Sequence, residues 1–393
     1  MTATAAAPDA AATPPFVLIA VLSAANFAIG MGAFVVIGVL TPVAEAFAMT
    51  ESAAGGLMTA YAVAYAIGSP LGVALTGRMR RRTVIASGLA VFALGGAATA
   101  LAPSEGALFA ARVLAALGAG VVTPVAAGVA AAASPPEARG RALAYAFFGL
   151  TLAQVFGVPA GAWIGYTFGW AAVFWLTAAL SAAAFVGVMT VVPRDMAFQV
   201  TALSALGAAL RDAKTLLAIL YTVLIMGAVY TFFTYTAPSL ERFMGFSRDG
   251  VSVFLLIFGF GAVFGNLLGG ALTDRIGAYR TLIFVSLVQI LFMPVYSFLP
   301  IPEWALYLHV FLWSVGGWSF AASQQARLVA LGPDRANVML ALNAAAIYVG
   351  VSVGSWFGGA MTAFAGLGAL GLAGAAVAVL ALVVLVAGEK ARA

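Results

Sequence analysis

Two basic side chains stand apart from the others in this sequence. Arg112 lies about two turns inside one apolar run, and His309, the only histidine, lies inside another. A charge inside a run long enough to span a bilayer costs about 2.5–3.5 kcal/mol, so it must face an interior or water and be paired. Histidine titrates near neutral pH and can carry a proton. His309 follows Arg112 by 197 residues in a chain of 393, so the two occupy equal depths in a repeat of about half the length. That spacing predicts one central cavity with two basic side chains, fit for ligand contact or proton relay. Other readings stay open. Arg112 either snorkels to the membrane interface or pairs with Glu105 or Glu45. His309 is otherwise a neutral ring hydrogen-bonded to a neighbouring helix.

Further polar and aromatic residues interrupt the apolar runs. Asn26, Tyr61, Tyr65, Gln154, Tyr230 and Tyr235 are candidate liners of such a cavity. So are Asn266, Trp313, Asn343 and Tyr348. Tyr61 and Tyr65 share a helix face at i,i+4, as do His309 and Trp313. Each is equally readable as an interhelical hydrogen bond or packing residue. All 13 acids fall in tails, connections or helix ends, so no helix centre carries a carboxylate. Proton coupling would then fall to His309, Glu45 or Glu241.

These residues are positioned by an overwhelmingly apolar chain. It is 64% hydrophobic and 8% charged, with a mean hydropathy of +1.09, outside the range of soluble domains. Uncharged runs of roughly 20 residues predict transmembrane helices. Twelve are expected, over 16–41, 53–76, 83–102, 106–133, 142–165, 170–192, 215–238, 250–272, 281–299, 303–330, 337–363 and 366–388. Residues 1–15 read as a disordered tail without the positive region of a signal peptide. Six helices over 16–192 and six over 215–388 flank a linker, 193–214, in which Leu203, Leu206 and Leu210 have the spacing of an interfacial helix. Residues 389–393 form a short tail.

Charge sets the orientation. With the N-terminus in the cytoplasm, 15 of the 18 Lys and Arg residues fall on that side, including Arg78, Arg80, Arg81, Arg82, Arg275 and Arg327. Only Arg242 and Arg248 fall opposite, which by the positive-inside rule predicts both termini in the cytoplasm.

The halves repeat. Pro42, Glu45 and Phe47 match Pro238, Glu241 and Phe243 at an offset of 196. ALTGR (74–78) matches ALTDR (271–275) at 197, as do Pro103 with Pro300, Gly120 with Gly317, and Pro136-Glu137 with Pro333-Asp334. Parallel six-helix repeats place a ligand near the midplane between the halves.

GALTDRIGAYR (270–280) resembles the G-x-x-x-D-R-x-G signature of the major facilitator superfamily, carried by Gly270, Asp274, Arg275 and Gly277. LTGRMRRR (75–82), with Arg78 and Arg82, resembles its first-half copy. Arg112 with Gly118 and Gly120 resembles the helix-4 motif of the proton-coupled drug-antiporter branch. GVPAG, with Gly157, Pro159 and Gly161, resembles the helix-5 antiporter motif, and SPPEARGRALA (134–144) resembles the arabinose-efflux-permease-like members. The resemblance covers the whole chain. It implies an all-α membrane protein of twelve transmembrane helices in two pseudo-symmetric six-helix bundles. It also implies a monomeric proton-coupled exporter of small organic molecules in the bacterial inner membrane, with the DR corner latching one conformation. Asn26 stands where related exporters of cationic drugs carry a buried acid, so neutral or anionic substrates are expected.

Other classes fit poorly. Cysteines are absent, which removes disulfides and thiolate sites. No metal cluster, catalytic constellation or G-x-x-x-x-G-K loop is present, so neither an enzyme nor an ATP-driven pump is expected, and no cofactor. The net charge of +5 sits in loops at the membrane and is not read as nucleic-acid binding. Two alternatives remain: an organic-anion exchanger or uniporter in which Arg112 binds the anion, and a transport-dead membrane sensor.

Overall fold

Charged and capping residues stand where the apolar runs end, and there the helices stop. The computed structural model describes residues 15–135, 138–194, 196 and 203–390, and among these twelve helical segments are long and apolar enough to cross a membrane, with no strand. Spans 1 to 6 are Phe16–Gly38, Glu51–Leu75, Arg81–Ala100, Glu105–Ala132, Arg139–Phe168 and Trp170–Val191. Spans 7 to 12 are Ala213–Phe233, Arg248–Ile276, Ala278–Ser297, Glu303–Leu331, Val338–Ala365 and Leu367–Glu389. They correspond one for one to the expected segments. An even number puts the start of span 1 and the end of span 12 on one face, the one that carries the arginine-rich connections, called here the basic face.

Several starts are capped as the sequence directs. Thr50 Oγ1 accepts from Ala53 N–H at 3.2 Å and Ser104 Oγ from Ala107 N–H at 3.4 Å, with Glu51 and Glu105 in the following turns. Asp212 caps span 7, and the bonds it accepts from Thr215 hold its carboxyl below the usual carboxylate range. Gly277 ends span 8 and begins span 9 at φ +85°, a conformation that only glycine adopts freely.

Three expectations need correction. The seventh segment was expected to run to 238, but the helix breaks at Thr234–Tyr235 and restarts as the short helix Thr236–Met244. Span 1 breaks in the same way: its last turn, Val35–Gly38, tightens to a 3-10 helix before the short helix Leu40–Ala46. Arg327, counted with the cytoplasmic-side arginines although the tenth expected segment runs to 330, lies buried inside span 10, 3% exposed, with Nη2 3.8 Å from Glu389 of span 12. Within the linker, Leu203–Leu210 is helical. The side chains of Leu203 and Leu206, and residues Asp9, Pro136, Glu137, Asp195 and Arg392, lie outside the described residues.

Glycines set the closest approaches between spans. A Cβ on Gly161 would stand 2.2 Å from Val35 Cγ2, and one on Gly157 3.2 Å from Met31 Cβ, so span 5 packs hard on span 1. The second half repeats this at an offset of 197. A Cβ on Gly358 would stand 2.3 Å from Thr231 O, and one on Gly354 2.3 Å from Gly227 O, so span 11 packs hard on span 7. Pro159 cannot donate a backbone hydrogen bond, and the turn Ala153–Gly157 just before it widens into a π-helix.

Candidate functional site

The break in span 1 explains where Arg112 goes. As the helix tightens, its last carbonyls lose their regular partners. Arg112 reaches over from span 4: Nη1 donates to Gly32 O at 2.8 Å and Nη2 to Ala33 O at 3.1 Å. Its guanidinium also lies over Tyr61 (4.5 Å to the ring centroid) and Phe174 (5.6 Å). The side chain is 2% exposed. Carbonyl dipoles and aromatic faces therefore balance its charge. Neither Glu105 nor Glu45 pairs with it.

From Tyr61 an aromatic path crosses between the halves. Tyr61 faces Tyr65 at 6.5 Å, and Tyr65 stacks on Tyr348 of span 11 at 3.6 Å. A second crossing joins Phe34 of span 1 to Tyr230 of span 7 at 6.2 Å. Tyr230 continues to Phe233, which stacks on Phe258 and reaches Trp313. The Tyr61 hydroxyl is buried and makes no hydrogen bond among the described residues. An orphaned hydroxyl costs about 1–3 kcal/mol, which a polar group of a ligand would recover.

The expected shared Arg/His cavity is not formed here. His309 stacks on Phe292 at 5.0 Å and meets the Tyr296 edge at 5.2 Å, at the interface of spans 9 and 10. Its neighbours and those of Arg112 are separate sets, because the two helices turn the equivalent position toward different partners.

Several other candidate liners are internal ties in this conformation. Asn26 Nδ2 donates to Ala146 O at 2.9 Å, tying span 1 to span 5. Trp313 Nε1 donates to Gln289 Oε1 at 2.7 Å. Tyr235 Oη donates to Ser355 O at 2.9 Å. Asn343 Oδ1 accepts from Thr222 Oγ1 at 2.8 Å, and Gln324 Nε2 donates to that same hydroxyl at 2.9 Å. Gln154, in the π-helical turn, and Asn266 are half-buried. Each tie needed a partner on another helix that composition and spacing do not reveal.

The halves are also bonded at the face opposite the basic one. Ser52 Oγ donates to Gly359 O at 2.8 Å, Arg248 Nη1 to Thr167 Oγ1 at 3.0 Å, and Tyr166 Oη to Glu241 Oε1. Beside them opens a vestibule of about 700 Å³, lined from both halves by Glu45, Tyr166, Trp170, Glu241 and Arg248 among others.

The sequence matches the family profile described as Major Facilitator Superfamily over residues 22–336. The chain belongs to the major facilitator superfamily. It is similar to Inner membrane transport protein YdhP of Escherichia coli (strain K12), 32% identical over 304 residues, covering 77% of each chain. It is also similar to a chloramphenicol resistance protein of Streptomyces lividans, 36% identical over 216 residues, 53% of this chain and 54% of that one. Among solved structures, a D-xylose-proton symporter shares the fold: TM-score 0.77 at 16% identity, covering 95% of this chain and 97% of that one.

With the superfamily established, its two signature corners can be placed. In the second half, Asp274 and Arg275 are exposed in the last turn of span 8, Gly270 has open space around its Cα, and Gly277 makes the turn. In the first half, Arg78 is exposed, while Arg82 donates to Met189 O of span 6. The sequence offers Arg81 only as one of the cytoplasmic-side arginines. It is 2% exposed and donates through Nη2 to Gly77 O at 2.7 Å, capping the end of span 2. The glycines of the 157–161 motif act through the span 1 contact described above.

Proposed function

We propose that this protein is a secondary active exporter of small, uncharged, aromatic-bearing organic molecules, working by alternating access with protons as counter-ion. The observation that carries this reading is the tyrosine cluster of Tyr61, Tyr65, Tyr230 and Tyr348 at the junction of the halves, with the buried, unpartnered Tyr61 hydroxyl among them. Flat rings offer stacking surface, and the hydroxyl offers one directional bond. Arg112 gives Nη1 and Nη2 to Gly32 and Ala33, while its buried Nε–H has no partner among the described residues and is a second polar group that a substrate could meet. The cross-half bonds at one face support a carrier closed there, to be reopened in the other half of a transport cycle. The names of the E. coli and S. lividans relatives support an inner-membrane location and efflux of a small molecule. The arginine distribution supports a cytoplasmic basic face with both termini there, and the six-plus-six division with a linker over 193–214 remains our reading of the domains.

The test is proton flux in proteoliposomes loaded with a pH-sensitive dye. Neutral aromatic, cationic and anionic compounds are added in turn. Proton movement opposite to a neutral aromatic compound is the expected result. Substrate movement without proton flux would replace antiport by uniport or exchange, and response to anions alone would return Arg112 to the role of anion ligand.

A further inference from the structure

Glu45 and Glu241 match in the repeat, yet only Glu241 is engaged. It lies on the short helix Thr236–Met244, outside the spans and half-buried, and its carboxylate accepts the Tyr166 hydroxyl of the other half. Tyr166 has no phenolic counterpart in the second half, where Thr362 and Ala363 fall at the repeat offsets. Charged and titratable groups surround Glu241 from each neighbouring element. Glu45 comes from the helix Leu40–Ala46, Glu51 from span 2, Tyr166 from span 5 and Arg248 from span 8, with Arg242 next along its own helix. Arg248 does not neutralise it. That guanidinium pairs with Asp249 at 3.3 Å, bonds Thr167 and lies over Trp163 at 5.6 Å.

We propose that Glu241 and Tyr166 form a proton-binding latch that holds the face opposite the basic one shut. Closing this face brings Glu241 out of water and toward Glu45, which belongs to the other half. Opening separates the halves, rehydrates the carboxylate and relieves the repulsion between the two acids. Burial, and then the charges of Glu45 and Glu51, push the Glu241 carboxyl above its ordinary range, while the Tyr166 bond pulls it down. A carboxyl raised in the closed state and ordinary in the open state binds its proton more tightly when closed. Acid therefore favours closure. That advantage is full below the open-state value and is lost as pH rises through the closed-state value. The proton-binding group sits on the gate rather than at the tyrosine cluster, so it controls access independently of whichever group couples transport.

The chain has no cysteine, so a label pair can be introduced cleanly. Gly106→Cys and Trp304→Cys place spin labels at the exposed starts of spans 4 and 10, one in each half. Pulsed-EPR distances in nanodiscs are then followed from acid to alkaline pH. We expect one short distance in acid and a longer one growing as pH rises. In Glu241→Gln the short distance should persist at every pH, and Glu45→Gln should move the midpoint to lower pH. Tyr166→Phe, the mildest change, should reduce the closed fraction throughout. A wild-type midpoint retained in Glu241→Gln, or a closed fraction unchanged in Tyr166→Phe, would overturn the latch. The inference rests on alternating access. Distances fixed under every pH and every substrate would defeat both readings, whereas substrate-driven opening without a pH response would defeat the latch alone.

Discussion

The break at the end of span 1 is held by a guanidinium, and the corresponding break after span 7 is held by hydroxyls. In the first half Arg112 donates to Gly32 O and Ala33 O. In the second half Thr236 Oγ1 donates to Phe233 O at 2.8 Å, and Thr234 and Ser355 share a bond at 2.7 Å. The equivalent of Arg112 makes none of these bonds. His309 turns instead to Phe292 and Tyr296. Repeated backbones thus carry unequal chemistry: one basic residue is a structural fork inside the bundle, and the other is a flat ring in a stack.

The largest test of this contrast is Arg112→Ala. It strands two buried carbonyls, each costing about 1–3 kcal/mol, so thermal unfolding in detergent should show a loss of several kcal/mol. Transport of neutral and acidic compounds should fall together. Arg112→Lys, a point charge without the fork, should recover only part. Loss confined to acids would make Arg112 a substrate ligand.

The glycine contacts predict the opposite of that asymmetry. Gly161→Ala and Gly358→Ala each force a methyl into a gap already filled, by Val35 in one half and by Thr231 O in the other. Overpacking costs about 1–3 kcal/mol. Both variants should lose comparable thermal stability, because helix approach, unlike the basic pair, is conserved between the repeats. A marked difference would show that the halves diverge in packing as well as in polar chemistry.

The smallest effect belongs to His309→Phe. The aromatic stack survives; the ring's bond to the Phe292 backbone is lost, and the buried Nε2, which has no hydrogen-bond partner among the described residues, is removed with it. Stability should change by about 1 kcal/mol or less, since the lost bond and the removal of an unsatisfied polar atom offset each other. The pH dependence of transport should match the unmutated protein. A flattened profile would restore His309 as a proton carrier and end the contrast with Arg112.

Much of the architecture was legible before any coordinates. Helix number follows from apolar length, because a span must satisfy its backbone within itself. The repeat register located Arg112 and His309 at equal depth, and the resemblance singled out the DR corner, whose Gly277 takes φ +85° between spans 8 and 9. Those features are local: hydropathy, capping and glycine geometry act over a few neighbouring residues. The pairings that decide the candidate site are not local. Arg112 meets backbone carbonyls about 80 residues away, which have no side-chain signature in the sequence. Tyr166 and Glu241 meet only because span 5 packs on span 8, beside the short helix that carries Glu241. Arg327 counts only as an arginine near the basic end of the tenth segment until span 12 is seen to bring Glu389 alongside. Sequence alone set which segments cross the membrane and at what depth each polar group rides. The tertiary structure decided which faces turn toward each other, because helix rotation follows from packing across the whole bundle rather than from any one segment.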